Sequence, residues 1–387
     1  MSTNRIRETI AEVFEDVADA LETGSFGKKT RVGLTILGSE HGSEELIKGA
    51  ELAESQNPNI QVVVIGSFTA SKLETVEASN DKEAHAKMDE MLLNGTLDAA
   101  VTMHYSFPIG VSTVGRVITP GKGKEMFLAT TTGTSATERV TAMLKNTIYG
   151  IATAKACGKD NPTVGILNID GARQVERALK KLQEGGYPIN FSESARADGG
   201  VVMRGNDLLM GVPDIMVDDS LTGNVLMKVF SAYSTGGNYE SLGFGYGPGV
   251  GENYDRIICI ISRASGAPVI AGAIRLAAQC VQGRLLDQAR MEFAAVKKAG
   301  WDDIVKSLSV SPVKKEKGEG EAVAPPKKPV TDSIPGIEVM ELEDAVAVLW
   351  KANIYAESGM GCTGPIIMIA PEDKEKALEL LKKNDYL

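Results

Sequence analysis

One cysteine near the end of the chain stands on an unusually bare stretch of backbone. In "ESGMGCTGPIIMI" (357–369), Cys362 has Gly361 before it and Gly364 two residues after it. Uncovered backbone N–H groups in such a turn stabilise a thiolate, and later the oxyanion of a thioester adduct. These residues alone leave two alternatives open, a catalytic thiol and an ordinary tight turn with an incidental cysteine.

The other cysteines carry no comparable pattern. Cys157, Cys259 and Cys280 lie in helical or apolar surroundings that favour packing residues. The four cysteines are far apart and form no CxxC pair, so the sequence predicts neither a zinc ribbon nor a dithiol motif, and no metal site.

Two loops carry residues suited to an anion. "DDSLTGNVLMK" (218–228) and "ISRASGAPVIAG" (261–272) each lie where a predicted strand ends and a helix begins. Unpaired N–H groups and the helix dipole at such junctions favour phosphate, and Arg263 adds a planar donor fork. The alternative is that both loops are helix caps, with Arg263 paired to a surface carboxylate. The candidate phosphate-binding residues are Thr222, Gly223, Asn224, Ser262, Arg263 and Ser265.

Two of the three histidines are placed to join these loops. His41 and His104 each follow a predicted strand, which puts them at the same edge of a parallel sheet as the phosphate candidates. Either is a candidate acid, base or donor to a developing oxyanion. His85 lies in a polar stretch for which a solvated helix face is expected. The glycine-rich stretch 236–251 never spells GxGxxG, and it is expected to be either a mobile surface loop or a lid or channel that lets another backbone approach closely.

An alternating pattern of strands and helices must position these residues. Short β-type runs such as "RVGLTILG" (31–38) and "RIICIISR" (256–263) alternate with helical patterns. This alternation predicts an α/β fold around a mostly parallel sheet over residues 31–310. Before it, residues 1–30 hold one amphipathic helix, whose apolar stripe over 5–21 predicts docking or dimerisation.

A change in composition marks the end of this domain. Residues 311–335 are rich in lysine, glutamate, proline and glycine, and they predict a flexible linker. A flexible chain of that length spans about 25 Å on average. Residues 336–387 then follow a strand, helix, strand, turn, strand, helix pattern. The sequence therefore predicts a small α/β module that carries Cys362 on a tether.

Length and charge exclude several classes of protein. The chain has 387 residues and a formal net charge of -10, so repulsion from nucleic acid and from anionic lipid is expected. Its mean hydropathy is -0.06, and no apolar run approaches the ~20 residues that span a bilayer. The start of the chain lacks the apolar region of a secretory signal. A cytoplasmic protein without nucleic-acid or membrane partners is expected.

Longer segments resemble a known family. "TILGSEHGSEELIKGAELA" (35–53), "NPTVGILNID" (161–170) and "PDIMVDDSLTGNVLMK" (213–228) are similar to the phosphate acyltransferases of fatty acid and phospholipid synthesis and, more distantly, to phosphotransacetylases. The resemblance implies a three-layer α/β/α fold of the isocitrate/isopropylmalate dehydrogenase type. It also implies acyl transfer to or from inorganic phosphate, which is a substrate, with no tightly bound cofactor. "HYSFPIGVSTVG" (104–115) departs from that family's pattern, so acyl-carrier-protein recognition is not expected.

The whole chain, including the linker and "GMGCTGP", more closely resembles the alpha subunits of component C of glycine/sarcosine/betaine reductase complexes. That resemblance implies that a small selenoprotein, protein A, delivers a carboxymethyl group, that Cys362 holds the resulting acetyl thioester, and that phosphate releases acetyl phosphate. It implies a beta subunit as partner, thioredoxin as an indirect partner, and an oligomer. Ser262 and Arg263 likewise match the Ser-Arg phosphate loop of phosphotransacetylases. The alternatives are a stand-alone phosphate acyltransferase and a non-catalytic scaffold subunit.

Overall fold

The computed structural model describes most of the chain. It covers residues 13–14, 17–18, 21, 28–67, 71–197, 199–309, 322–338, 341–361, 364–384 and 386–387. Most of the predicted N-terminal helix, the first part of the predicted linker and Cys362 itself lie outside the described residues. Among the described residues no single helix is long and apolar enough to cross a bilayer, although two helices that meet at a 60° bend, Ala267–Gln282 and Leu285–Lys298, satisfy that criterion as a pair.

Twelve strands form one mixed sheet, and three more form a second sheet near the C-terminus. The strands of the large sheet are β1 (Thr30–Thr35), β2 (Ile60–Ile65), β3 (Glu74–Val76), β4 (Ala99–Thr102), β5 (Val111–Ile118), β6 (Glu125–Thr134), β7 (Thr163–Leu167), β8 (Asn190–Phe191), β9 (Val202–Met203), β10 (Ile215–Val217), β11 (Gly247–Val250) and β12 (Ile258–Ile260). Their order is β3-β2-β1-β4-β12-β11-β5-β6-β10-β7-β8, with β9 also paired to β7. The mostly parallel α/β sheet predicted from the sequence is confirmed.

Helices cover both faces of this sheet. They are α1 (Ser43–Gln56), α2 (Asp81–Leu93), α3 (Arg139–Ala156), α4 (Ala172–Glu184), α5 (Gly205–Met210), α6 (Ser220–Ala232), α7 (Ala267–Gln282), α8 (Leu285–Lys298) and α9 (Trp301–Ser309). Side chains of a strand alternate between faces. Accordingly, Val62 and Val64 belong to one buried cluster, with α1, α3 and α7, whereas Val63 and Ile65 belong to another, with α2 and α6. Burial on both faces explains why "IQVVVI" is a continuous apolar run.

The large sheet contains two parallel sets of opposite direction. The first set is β3, β2, β1, β4 and β12, and the second is β6, β10, β7, β8 and β9. Three antiparallel pairings through β11 and β5 separate the sets. Because these pairings reverse direction three times, the two sets run oppositely and their carboxyl ends lie at opposite edges of the sheet. Side chains from the helix after β10 and from the loop after β12 nevertheless line one cavity.

The glycine-rich stretch 236–251 contributes a buried strand rather than a lid. Residues 247–250 form β11, which pairs with both β12 and β5, and all four are buried. Gly247 has a φ of 85°, and a Cβ at this position would lie 1.8 Å from the carbonyl oxygen of Val114. The glycine is required because another backbone approaches closely, but that approach occurs inside the sheet. The expectation of a surface loop or a lid is wrong for this part.

The small C-terminal sheet has the order β13 (Asp332–Pro335), β15 (Gly364–Ile369), β14 (Ala356–Gly361), and all its pairings are antiparallel. Helices α10 (Leu342–Lys351) and α11 (Lys374–Lys383) pack on it around a core that includes Ile334 and Ile367. β13 lies inside the range predicted to be linker, which corrects the end of that range. Ile334 is buried and opposite Ile367, so this segment belongs to the small core despite its polar surroundings.

Candidate functional site

Two adjoining cavities open beside the carboxyl ends of β4 and β12. The smaller, of about 360 Å³, is lined by Thr132, Asn224, Lys228, Ser262 and Arg263 among others, and we call it the basic cavity. The larger, of about 500 Å³, is lined by Thr35, Lys82, His85, Thr102 and Arg263 among others, and we call it the histidine cavity. Both cavities share a wall made of Met103, His104, Tyr105 and Arg263.

Ser262 presents its hydroxyl hydrogen to the basic cavity. Its Oγ accepts hydrogen bonds from the backbone N–H of Ala264 and from Nζ of Lys228, both at 2.9 Å. A hydroxyl has two acceptor positions and one donor position. Because both acceptor positions are filled by protein groups, the hydrogen of Ser262 remains available as a donor to an anion.

Arg263 is the side chain that both cavities share. Within the ranges that the structure describes, its guanidinium forms neither an ion pair nor a side-chain hydrogen bond. Its backbone carbonyl accepts the N–H of Glu40, which fixes the loop while leaving the side chain unengaged. Five N–H donors in a planar fork suit a phosphate or carboxylate. The alternative of a surface carboxylate partner for Arg263 finds no support among the described residues.

Lys228 is a functional candidate that the sequence reasoning missed. Its Nζ lies 2.9 Å from Oε1 of Glu240, a carboxylate only 1% exposed, and 2.9 Å from Oγ of Ser262. Glu240 also accepts a hydrogen bond of 2.7 Å from Ser265. This arrangement aims Lys228 at the basic cavity, which Glu40 also lines. The sequence offers one indication of this role, because Lys228 lies one helical turn after Asn224 on the same face of α6.

The residues predicted in the loop after β10 divide into two groups. Asn224 lines the basic cavity and donates from Nδ2 to the carbonyl of Thr131 at 3.1 Å. Thr222 instead donates its hydroxyl to Asp219 at 2.8 Å, and a Cβ on Gly223 would lie 1.7 Å from the carbonyl oxygen of Thr130. Neither Thr222 nor Gly223 is among the lining residues. Thr222 is bonded to Asp219, the N-cap of the helix, and Gly223 lets the helix approach the strand.

Ser265 also serves the loop rather than the cavity. Its hydroxyl donates to Glu240 and accepts the N–H of Ser262 at 3.0 Å, and the side chain is buried. Ser265 therefore shapes the loop that presents Ser262 and Arg263.

The histidines are placed differently from the expectation. His104 lines both cavities. His41 lines neither cavity, because its ring packs against Tyr239 with the centroids 5.1 Å apart. His85, expected on a solvated face, is half-buried in the wall of the histidine cavity, where Nε2 lies 3.0 Å from Oγ1 of Thr102.

Two adjacent carboxyl groups at the end of β10 have opposite electrostatics. Asp218 is fully buried, and neither of its carboxyl oxygens has a hydrogen-bond partner among the described residues. Burial, and then the charge of Asp219, raise the pKa of Asp218 well above its ordinary value. For Asp219, burial opposes ionisation, but hydrogen bonds from Thr222 and Leu221 and the charge of Arg139 hold its pKa below the ordinary value. The surroundings of the two neighbouring carboxyl groups thus shift their pKa values in opposite directions.

Cys362 lies outside the described residues, together with Thr363. The strands that flank it are described, and their pairing ends with Gly361 opposite Gly364. The other three cysteines are free thiols, of which Cys259 and Cys280 are buried. Burial raises the pKa of Cys259, which makes it unreactive.

The small sheet contacts the large one near the N-terminus of α4. Glu338 accepts the backbone N–H of Arg173 at 2.9 Å, and Glu341 lies 3.4 Å from the guanidinium of Arg177. These contacts involve partly exposed charges, which contribute little stability individually.

The comparisons with known proteins agree with this architecture. The family model described as "Fatty acid synthesis protein" matches residues 30–368, and the chain belongs to that family. It is 59% identical over 377 residues to the glycine/sarcosine/betaine reductase complex component C subunit alpha of Peptoclostridium acidaminophilum, with 97% of this chain and 98% of that protein covered. The resemblance predicted from the sequence is thereby confirmed.

More distant relatives are also similar. The phosphate acyltransferase of Thermotoga petrophila is 24% identical over 234 residues, which cover 52% of this chain and 67% of that protein. Among solved structures, a branched-chain phosphotransacylase from Enterococcus faecalis V583 matches with a TM-score of 0.46 and 17% identity, over 65% of this chain and 99% of that chain.

Proposed function

We propose that this chain is the acyl-transferring alpha subunit of component C in a glycine reductase-type complex, and that it releases acetyl phosphate. The observation that carries the proposal is Arg263, a guanidinium without a carboxylate partner among the described residues, beside the donor hydroxyl of Ser262 and the cation of Lys228. This set suits a phosphate dianion. The strong similarity to a named component C alpha subunit and the family of the chain support the acyl part.

Two balanced steps describe the proposed reaction. In the first, the carboxymethyl selenide of protein A, a thiol of protein A and the Cys362 thiol give a selenide-sulfide, an acetyl thioester on Cys362 and water. The carbon–selenium bond breaks, the methylene carbon is reduced to methyl, and selenium and sulfur are oxidised. In the second, a phosphate oxygen attacks the thioester carbon, the carbon–sulfur bond breaks, and acetyl phosphate and the Cys362 thiol are formed.

The phosphate is proposed to bind in the basic cavity, and the small C-terminal sheet is proposed to bring acyl-Cys362 to it. The linker predicted from the sequence is proposed to supply the reach, and the contacts of Glu338 and Glu341 with α4 are weak enough to release. A beta subunit and protein A are the proposed partners, with thioredoxin acting indirectly on protein A, and an oligomer is the proposed state. No tightly bound cofactor takes part in the proposal, and a cytoplasmic location goes with these partners.

Peptide mass spectrometry tests the thiol assignment. Treating the protein with acetyl phosphate drives the second step backwards, so a single acetylated cysteine is expected, at position 362. Cys362→Ser should abolish the modification, whereas the matched variant Cys157→Ser should retain it, because Cys157 lies apart from both cavities. Acetylation that survives Cys362→Ser, or a wild-type protein that never acquires an acetyl group, contradicts the proposal.

A further inference from the structure

Neither step of the proposed reaction uses the histidine cavity. It adjoins the basic cavity along the wall that contains His104 and Arg263. In the tetrahedral intermediate of phosphorolysis, the phosphate oxygen and the departing sulfur are bonded to the same carbon in different directions. A phosphate in the basic cavity, with the thioester carbon at the shared wall, leaves the adjoining histidine cavity as the space for the sulfur.

A chain of hydroxyl groups ends at His85 in this cavity. Thr35 and Thr102 are the last residues of the neighbouring strands β1 and β4, and both are buried. Oγ1 of Thr35 donates to Oγ1 of Thr102 at 2.7 Å, and Oγ1 of Thr102 lies 3.0 Å from Nε2 of His85. The carbonyl oxygen of His104 lies 3.4 Å from the same hydroxyl.

This network satisfies His85 in both of its protonation states. When the imidazole is neutral at Nε2, Thr102 donates its hydrogen to that nitrogen. When Nε2 carries a proton, it donates to Thr102, which turns its own hydrogen toward the carbonyl oxygen of His104. The hydroxyl of Thr102 therefore has a hydrogen-bond partner for its hydrogen in either state. A side chain that gains and loses a proton during each turnover needs such an arrangement.

Charged groups of both signs face His85. Asp81 and Asp89 lie one turn before and after it on α2, and Lys82 lies beside them. The segment after β4 contributes His104 and Tyr105, and the loop after β12 contributes Arg263. Asp89 is already engaged by Arg256 at 3.0 Å and by the hydroxyl of Tyr105 at 2.9 Å. The carboxylate of Asp89 is therefore bonded to these two groups and not to His85.

We propose that the histidine cavity receives the sulfur end of the acyl thioester, and that His85 exchanges a proton with that sulfur. The inference rests on the proposed function. In phosphorolysis the bond between the acyl carbon and sulfur breaks, and the sulfur takes the proton of the His85 imidazolium. In the reverse direction neutral His85 takes the thiol proton, sulfur attacks acetyl phosphate, and phosphate leaves. Sequence reasoning missed this role because His85 lies in a stretch that is polar on most positions.

The rate of acetylation of the full chain by acetyl phosphate tests the assignment, measured from about pH 6 to pH 9, across the ordinary range of thiol ionisation. His85→Gln should lower the rate at neutral pH by roughly 10²–10⁴-fold, the usual range for loss of a general base. The acetylation rate of the variant should then rise about tenfold per pH unit up to pH ~8.5, because the thiol must ionise without a base. The wild-type rate should level off at lower pH. Recovery at high pH is not expected of a misfolded protein.

Three further variants separate chemistry from structure. Ala86→Gln places the same side chain at the next, exposed position and should behave like the wild type. Thr102→Val removes the partner of Nε2 and should resemble His85→Gln, whereas Thr102→Ser keeps the hydroxyl and should restore the pH profile. If His85→Gln retains the wild-type rate and pH profile, this inference is wrong and the proposed function stands. If the wild-type chain is never acetylated, both fail together.

Discussion

The loops after β10 and β12 both join a strand to a helix and both hold small hydroxyl residues, yet the structure uses these residues differently. After β12, Ser262 keeps a free donor hydrogen and Arg263 faces both cavities. After β10, Thr222 donates to Asp219, and Gly223 packs against the strand. Only Asn224 and, one turn later, Lys228 reach the cavity from this side.

The difference follows from the residue that caps each helix. Asp219 is the N-cap of α6 and accepts the N–H groups of Leu221 and Thr222, so the positive end of that helix is already neutralised by a carboxylate. Gly266 is the N-cap of α7 and has no side chain to offer. Glu45 from α1 accepts the N–H of Ala267 instead. Both helix N-termini are thus occupied by a carboxylate, but the one at α7 comes from another helix and leaves the hydroxyl hydrogen of Ser262 and the guanidinium of Arg263 available.

Removing the guanidinium of the β12 loop should have the largest effect. Arg263→Ala is expected to lower kcat/KM for phosphate by roughly 10²–10³-fold, because charge stabilisation of that size is typical for one positioned donor. Arg263→Lys should recover part of the loss, since it keeps the charge without the planar fork. Phosphate-dependent release of acetyl from the labelled chain measures the effect.

The control for Arg263→Ala is alkylation of Cys362 by a small haloacetamide. That reaction uses no phosphate, so its rate should not change. Equal loss of phosphate use and of alkylation would show that Arg263 holds the structure together rather than binding the anion.

The sequence predicted the convergence of the two loops, but not the geometry that produces it. The strand-to-helix junctions were recognisable from "VDDSLTGN" and "ISRASG", and a parallel sheet predicts that such junctions share an edge. In the structure the junctions belong to two oppositely directed sets, joined by β11 and β5. β11 was hidden because three of the four residues of "GPGV" are glycine or proline, which are depleted in strands.

The assignment of single residues was less predictable from sequence. Whether Thr222 or Ser262 offers its hydroxyl depends on the neighbour that each one meets, Asp219 in one loop and Lys228 in the other. Glu240, which orients Lys228, lies 12 residues further along the chain, and only folding brings them together. The role of His85 was unpredictable for the same reason, since its partner Thr102 lies on another element.

Replacing Ser262 and Thr222 in turn by apolar residues should separate an effect on phosphate binding from an effect on stability. Ser262→Ala removes a donor to an anion and should raise KM for phosphate by roughly 10–100-fold, the equivalent of a hydrogen bond to a charged group. Thr222→Val removes only a contact to Asp219, so KM should stay within about twofold. Steady-state phosphorolysis and thermal unfolding, measured on both variants, check this contrast. A rise in KM for Thr222→Val as large as for Ser262→Ala would contradict the division between the loops.

The smallest expected effects concern stability and come from the two carboxyl groups of the β10 loop. Asp218 has a raised pKa, so its contribution to stability is full below the pKa of the unfolded chain, about 3.9, and is lost as pH rises through its folded pKa. Asp218→Asn keeps the shape without the charge. We therefore expect a higher Tm than wild type at neutral pH and a difference that shrinks as pH falls below about 3.9, where Asp218 becomes protonated in the unfolded chain as well.

Asp219 should show the opposite dependence on pH. Because the pKa of Asp219 is lower in the folded chain, its ionised carboxylate stabilises the fold at any pH above the pKa of the unfolded chain. This contribution is lost as pH falls through the folded pKa. Asp219→Ala also removes the cap of α6, which costs about 1 kcal/mol and lowers Tm by roughly 1–2 °C in a chain of this size. The two variants should therefore shift the Tm in opposite directions at neutral pH. A lower Tm for Asp218→Asn would mean that Asp218 is ionised and paired, and the two carboxyl groups would then not differ as the structure indicates.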